Sequence, residues 1–291
     1  MVISSSGSYI AGSDDADQDP TVVDLNVDAA LALQDLTGID DYPPVLALLP
    51  NIYDEDDHAR VRAVVLDELE TAGIVEDGRV HPVVRQWLHC LDRPDAELVV
   101  RVIDRGQGDD DMAMLRMSLV RQGEQHVLAV RCDDHVVIQP VFVEGRSLET
   151  LAAAVVAAVG PCPPLEFEPL SATEEQFGEV PSEQTERRQA LLELGAHRQT
   201  AGVLSRVMDE VVRRAEIVMF EHHDGVQAVP KVSSAVLDTV SGRIVVTPSV
   251  AMDGQLWTTY LPGDDSAIAT AVAALVELLP GRSWFDTTRI S

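Results

Sequence analysis

At 291 residues and 46% apolar, the chain can bury a sizeable core as one large domain or two fused ones, which excludes disorder throughout. It has 49 acidic against 21 basic residues, a formal net charge of −28, and Lys231 is its only lysine. A surface this negative repels phosphate backbones and anionic lipid headgroups, so nucleic-acid binding and polybasic membrane binding are not expected.

The first twenty residues mix Ser, Gly and Asp, with neither a basic n-region nor an apolar h-region. They read as a disordered tail, residues 1–20, because they offer nothing to bury. The longest apolar run, residues 151–159, falls short of the roughly 20 residues a membrane-spanning helix needs. Cys90, Cys132 and Cys162 are an odd, scattered set, as expected of reduced thiols in the cytosol.

Val22, Val23, Leu25 and Val27 predict a short strand, and residues 28–36 a helix closed by Gly38. Pro43, Pro44 and Pro50 bracket residues 45–49, which read as a short buried strand. A helix follows, with Asp54 as cap and Glu55, Asp56 and Asp57 at its positive end. Val61, Val64, Val65 and Leu69 form its apolar stripe, and Gly73 follows its last turn. Pro82 opens a shorter helix carrying Val83, Val84, Trp87, Leu88 and Leu91. Residues 96–104, 111–121, 125–132 and 135–143 alternate as half-buried antiparallel strands, the last two joined by the turn Asp133-Asp134. Residues 148–159 then predict a helix ending at Gly160-Pro161.

Pro163, Pro164, Pro169 and Pro181 mark residues 161–181 as a linker without regular structure. Beyond it, helices over 182–194 and 200–214 precede strands and a last helix. The stretch from Gly123 to Gly160 (strand, tight turn, strand, alanine-rich helix, Gly) is echoed from Gly242 to Gly281. This predicts a duplicated α+β unit, with an N-terminal half at 21–160 and a C-terminal half at 182–291. The two would be related by a pseudo-twofold axis and share one mostly antiparallel sheet.

Motifs for chemistry are scarce. Gly106-Gln107-Gly108 runs into three aspartates, where a phosphate would be repelled. No Gly-x-Ser-x-Gly elbow occurs. His222 and His223 are adjacent at a strand end and point to opposite faces, so they do not share a metal easily. Cys132 and His135 pair across the hairpin, but beside two carboxylates they lack the electropositive setting that activates a thiolate. Trp87, Trp257 and Trp284 read as core anchors. No metal, cofactor or enzymatic activity is expected; the competing reading is a hydrolase with a cleft of carboxylates and His.

The segments Val236-Leu237-Asp238-Thr239, Ser241-Gly242-Arg243-Ile244-Val245-Val246, Met252-Asp253-Gly254-Gln255-Leu256-Trp257 and Ser283-Trp284-Phe285-Asp286 resemble the end of EspG proteins. Asp41-Tyr42-Pro43, Leu49-Pro50-Asn51, Leu91-Asp92-Arg93-Pro94-Asp95 and Arg121-Gln122-Gly123-Glu124-Gln125-His126-Val127 resemble their N-terminal part, closest to the ESX-1-type member. The resemblance covers about residues 21–287 and implies an α+β fold whose central antiparallel sheet is flanked by two helical bundles. It also implies a cytosolic secretion chaperone of the type VII (ESX) systems. Such a protein binds PE–PPE heterodimers, shields the apolar tip of the PPE protein, and has no catalytic residues to carry over.

An apolar surface rimmed by polar groups is what such a role requires. The expected partner-binding residues are Val226, Gln227, Val229, Lys231, Val232, Ser233 and Ser234. In the family, the corresponding part of the sheet faces the PPE tip with the C-terminal helical bundle. The same segment also reads as an ordinary strand with a solvent face. A second candidate is the loop 105–111 with Arg105, Gln107 and Asp109, which the resemblance places near the partner. A monomer, or a weak dimer, is expected. A scaffold component of the secretion apparatus is the remaining alternative.

Overall fold

The structure, a computed structural model, describes residues 19–50, 55–105, 112–224 and 232–289, without the side chains of 55–58 and 112. The expected tail up to Gln18 and the Asp54 cap lie outside the described residues. In chain order the elements are β1 (Val23–Asn26), α1 (Val27–Thr37), α2 (Glu55–Thr71), β2 (Val75–Glu76), β3 (Arg79–Val80) and α3 (Pro82–Asp92). Then come β4 (Ala96–Arg105), β5 (Met112–Gln122), β6 (Gln125–Cys132), β7 (His135–Pro140) and α4 (Glu149–Val159). The rest are β8 (Leu170–Thr173), α5 (Glu174–Gly178), α6 (Gln184–Glu193), α7 (Arg198–Val207), β9 (Val211–Glu221), β10 (Ser234–Thr239), β11 (Gly242–Val250), β12 (Leu256–Pro262) and α8 (Asp265–Glu277).

The duplication expected from the glycine spacing is visible in this order. Leaving aside the small β2–β3 hairpin and the 3-10 turns, the run of strand, three helices, four strands and helix occurs twice. The pairing repeats as well: β1 is antiparallel to β7 (Val23↔Ile138), and β8 is antiparallel to β12 (Thr173↔Trp257). In each half the leading strand closes onto the last strand of the following meander.

The chain divides into two units. The first holds the chain up to Glu97, Arg116–Phe142 and Thr288–Ile290; the second holds Leu98–Leu115 and Val143–Thr287. In the first, strands run in the order β1-β7-β6-β5, and α1, α2 and α3 pack on them. Its core contains Val23, Leu25, Leu33, Leu69, Trp87 and Ile138. Asn26 caps α1 by accepting the Ala29 N–H at 2.7 Å, and Gly38 ends it at φ 70, where a Cβ would be strained. The Asp133-Asp134 turn and the Cys132↔His135 pairing are as expected.

The second unit orders its strands β4-β9-β10-β11-β12-β8. Helix α8 packs against β9, β10 and β11, and α4 packs against α8. Helices α6 and α7 form a hairpin on the sheet, with Leu191, Ala201, Leu204 and Ile244 in the shared core. Beneath α4 lies a buried ion pair: Arg243 donates to both oxygens of Asp238, at 2.6 and 2.9 Å, and to the Val159 and Gly160 carbonyls at 3.2 and 2.9 Å. Those carbonyls belong to the unpaired end of α4, so one guanidinium both neutralises a buried carboxylate and caps a helix.

Four expectations are corrected. Residues 45–49 form no strand; Pro44–Leu46 is a 3-10 turn, Ala47 is left-handed at φ 48, and Leu49 is 68% exposed. Pro44 lacks a donor for a ladder, and Arg131 donates to the carbonyls of Leu46 and Ala47. Val64 is exposed, because the buried stripe of α2 steps by four through Val61, Val65 and Leu69. Within 161–181 the chain makes β8 and α5: β8 sits at the margin, paired with β12 alone, and Thr173 forms a capping box with Gln176. The helix expected over 200–214 ends at Val207, and β9 begins at Val211, where paired β-branched residues favour the pleat.

Candidate partner-binding surface

Alternation along β9 sends Ala215, Ile217 and Met219 to a buried side, and Val212, Arg214, Glu216, Val218 and Phe220 to the other. Directly paired residues of an antiparallel ladder share a face. Ser234↔Ile217 and Val236↔Ala215 therefore face the α8 side, whereas Ala235↔Glu216 and Leu237↔Arg214 face away from it. Leu237↔Ile244 and Val246↔Tyr260 extend that second side across β11 and β12. Ion pairs Arg101–Glu216 and Asp104–Arg213, both 2.7 Å, fix β4 antiparallel to β9. They put Val99, Arg101, Ile103 and Arg105 on the second side as well.

The α6–α7 hairpin covers only part of this side. Leu237, Ile244, Val246 and Tyr260 lie against it. Val99, Ile103, Val218, Phe220 and Ala235 stay half-buried, and Val212 is 40% exposed. From Val212 to Phe220 is about 27 Å, and three strands are about 14 Å wide, so the uncovered face measures roughly 400 Å². That footprint is mixed, with Arg101, Arg105, Arg214 and Glu216 set among the apolar side chains, as in the polar-rimmed surfaces that serve binding.

At the margin of the face, Phe177, Val180, Leu191, Leu204, Met208 and Tyr260 line a cavity of about 220 Å³. Arg187 holds the base of the hairpin in place, donating to the carbonyls of Pro181, Ser182 and Ser205 and to Asp209. Burial pushes the Tyr260 phenol above its usual range, so it stays protonated and able to donate, and its ring lies 4.8 Å from that of Phe177.

The expected site residues are only partly placed. Val226, Gln227, Val229, Lys231, Gln107 and Asp109 lie outside the described residues. Arg105 is exposed on the uncovered side at the end of β4. Val232 is half-buried and Ser233 exposed, but Ser234 is 1% exposed and faces α8, which removes it as a contact residue. Of the described residues, Arg105 ends β4 opposite Val212, whereas Ser234 pairs with Ile217, five residue steps or about 17 Å further along β9, with Val232 and Ser233 just before it. Val99, Ile103, Val212, Val218 and Phe220 escaped the sequence reading. The period-two alternation of β9 was the available signal, obscured by extending α7 to residue 214.

No group of three metal-ligating side chains occurs among the described residues. His222 stacks near Phe220, while His223 reaches Glu221 on the opposite side at 3.0 Å, as adjacency in a strand dictates. No described helix is long and apolar enough to cross a membrane.

A large antiparallel sheet with helices packed on it defines a mixed α+β protein. Residues 26–274 match the EspG family, and the chain belongs to it. It is 32% identical over 282 residues to the ESX-1 secretion-associated protein EspG1 of Mycobacterium marinum, covering 96% of both chains. It is 30% identical to EspG1 of Mycobacterium tuberculosis, covering 91% of this chain and 90% of that one. It is 32% identical to the ESX-3 secretion-associated protein EspG3 of Mycolicibacterium smegmatis, again covering 91% and 90%. At the same 32% identity, the match to the ESX-1 relative of Mycobacterium marinum spans more of both chains than the match to the ESX-3 relative. The fold is that of the type VII secretion system chaperone EspG5 of Mycobacterium tuberculosis, solved in complex with a PE25–PPE41 dimer. The TM-score is 0.75 at 19% identity, covering 92% of this chain and all of that one.

Proposed function

We propose that this chain is a cytosolic, non-catalytic chaperone of type VII secretion that binds a PE–PPE heterodimer and covers the apolar tip of the PPE protein. The observation that carries the reading is the uncovered β4-β9-β10 face of the second unit, with the bare half of a strand whose other half is core. EspG5, whose fold this chain shares, was solved with a PE25–PPE41 dimer. One partner's share of a stable interface is about 800 Å², so a face of roughly 400 Å² supplies half. The α6–α7 hairpin and its cavity, beside Tyr260, supply the rest. In this reading Arg105, Val232 and Ser233 lie at opposite ends of the contact rather than in one cluster.

The test is co-expression with PE–PPE pairs encoded in the same secretion locus, followed by size-exclusion chromatography. A stable heterotrimer is expected. Val218→Asp should abolish it while leaving the circular dichroism spectrum unchanged, because a carboxylate on the bare face is solvated when free and buried unpaired when bound. Failure of the wild-type chain to retain any such pair refutes the function; retention by Val218→Asp refutes the surface.

A further inference from the structure

The bare face differs in charge from the rest of the molecule. The chain carries −28, yet the β4 and β9 residues of this face are Arg101, Arg105 and Arg214 against Glu216 alone. Glu216 is bound to Arg101, Nη2 to Oε2 at 2.7 Å. Arg214 is exposed on a central strand, opposite Leu237, and forms no ion pair with any described residue. The cavity lined by Tyr260 lies three strands further along the same side, on β12. Along β9 its neighbours on this face are Val212 on one side and Glu216, already held by Arg101, on the other; Leu237 lies opposite and Val218 one step beyond Glu216.

Resting on the chaperone reading, we infer that Arg214 is a specificity determinant: the PPE segment seated on this face carries a carboxylate that pairs with Arg214, flanked by apolar side chains that meet Val212, Val218 and Phe220. The overall negative charge repels acidic partners at long range, and a local cationic group on an apolar face selects the one orientation in which an acidic segment is attracted. A guanidinium suits this because it accepts a carboxylate with two parallel hydrogen bonds. The apolar contact supplies most of the affinity, and the charge supplies register and choice among PPE partners.

The experiment measures the affinity of the full chain for a PE–PPE heterodimer from its own locus, at low salt and at about 1 M salt, where the Debye length is about 3 Å. Arg214→Glu is compared with Arg85→Glu, which makes the same change in net charge on an exposed arginine of the first unit. Arg214→Glu should raise Kd about tenfold more than Arg85→Glu at low salt, with most of that difference gone at high salt. Arg214→Ala should fall between the two. Equal affinities for Arg214→Glu and Arg85→Glu, with Val218→Asp still blocking assembly, overturn this inference and leave the chaperone reading intact. Wild-type affinity in Val218→Asp overturns the surface and this inference with it, whereas only failure of the wild-type chain to bind any such pair overturns the chaperone reading.

Discussion

Replacing Arg243 with Met removes the cation from a carboxylate that cannot reach water. Arg243 and Asp238 side chains are 2% and 6% exposed, and two of the guanidinium nitrogens hold the two carboxylate oxygens. Breaking such a pair by deleting one partner costs about 3–5 kcal/mol, because the remaining charge stays buried. Loss of the bonds to the Val159 and Gly160 carbonyls adds about 1 kcal/mol, chiefly at Gly160, since Val159 keeps a bond from Arg213 at 3.1 Å. Arg213, 3.7 Å from Asp238 and itself bound to Asp104, offsets part of this. A net loss of about 4 kcal/mol is expected, read from urea unfolding followed by both circular dichroism and tryptophan fluorescence, with coincident curves licensing a two-state fit. Replacing both partners, Arg243→Met with Asp238→Leu, should recover most of the loss, because a buried pair and an apolar pair of similar volume are close in stability. A single variant losing under about 1 kcal/mol, or a double variant no better than the single, refutes the assignment of a mutually dependent pair.

Gly263→Ala should destabilise by about 2 kcal/mol or more, because its Cβ would lie 2.7 Å from the Arg243 carbonyl carbon and oxygen; an unchanged urea midpoint would show that β11 yields there. Cys132 is exposed and Cys90 buried, with burial pushing the Cys90 thiol up to about 12, so a thiol reagent at neutral pH should label Cys132 at once and Cys90 only on unfolding. Peptide mapping of labelled protein checks this, and early labelling of Cys90 refutes it. Burial lowers the His126 pKa below its usual 6.5, so the unfolded chain binds that proton more readily. Its contribution is therefore present above the unfolded value and lost as pH falls through it. His126→Gln should lose less Tm than wild type between about pH 7 and about pH 5; parallel curves would contradict the sign.

Elements marked by their own punctuation were legible in the sequence. Pro82 at the start of α3, Gly38 behind α1 and the Asp133-Asp134 turn each act within a few residues, so local chemistry decides them. The duplication was legible because both halves end on an alanine-rich helix with a glycine soon after it, Gly160 as the cap of α4 and Gly281 four residues past α8. The bare face was not, since the β9 pattern states only that its two sides differ. Which side a helix covers depends on where the α6–α7 hairpin ends, and Leu237 is covered while Val218, only a few residues away across the ladder, is not. The alternation of Val212, Arg214, Glu216, Val218 and Phe220 was present in the sequence, but a helix drawn through residue 214 split it. Ser234 shows the same limit: its neighbours suggested a solvent face, and a register of Ser234↔Ile217 turned it inward.

Asp95 in the first unit is 6% exposed, and one of its carboxylate oxygens is held by the Arg121 guanidinium at 3.3 Å and the Gly123 N–H at 2.7 Å. The other accepts the backbone N–H of Arg289 at 2.6 Å, from a residue 194 positions further along. One buried carboxylate thus joins the turn between β5 and β6 to a stretch of chain made last, and shortening the protein ahead of Arg289 would be felt at Asp95.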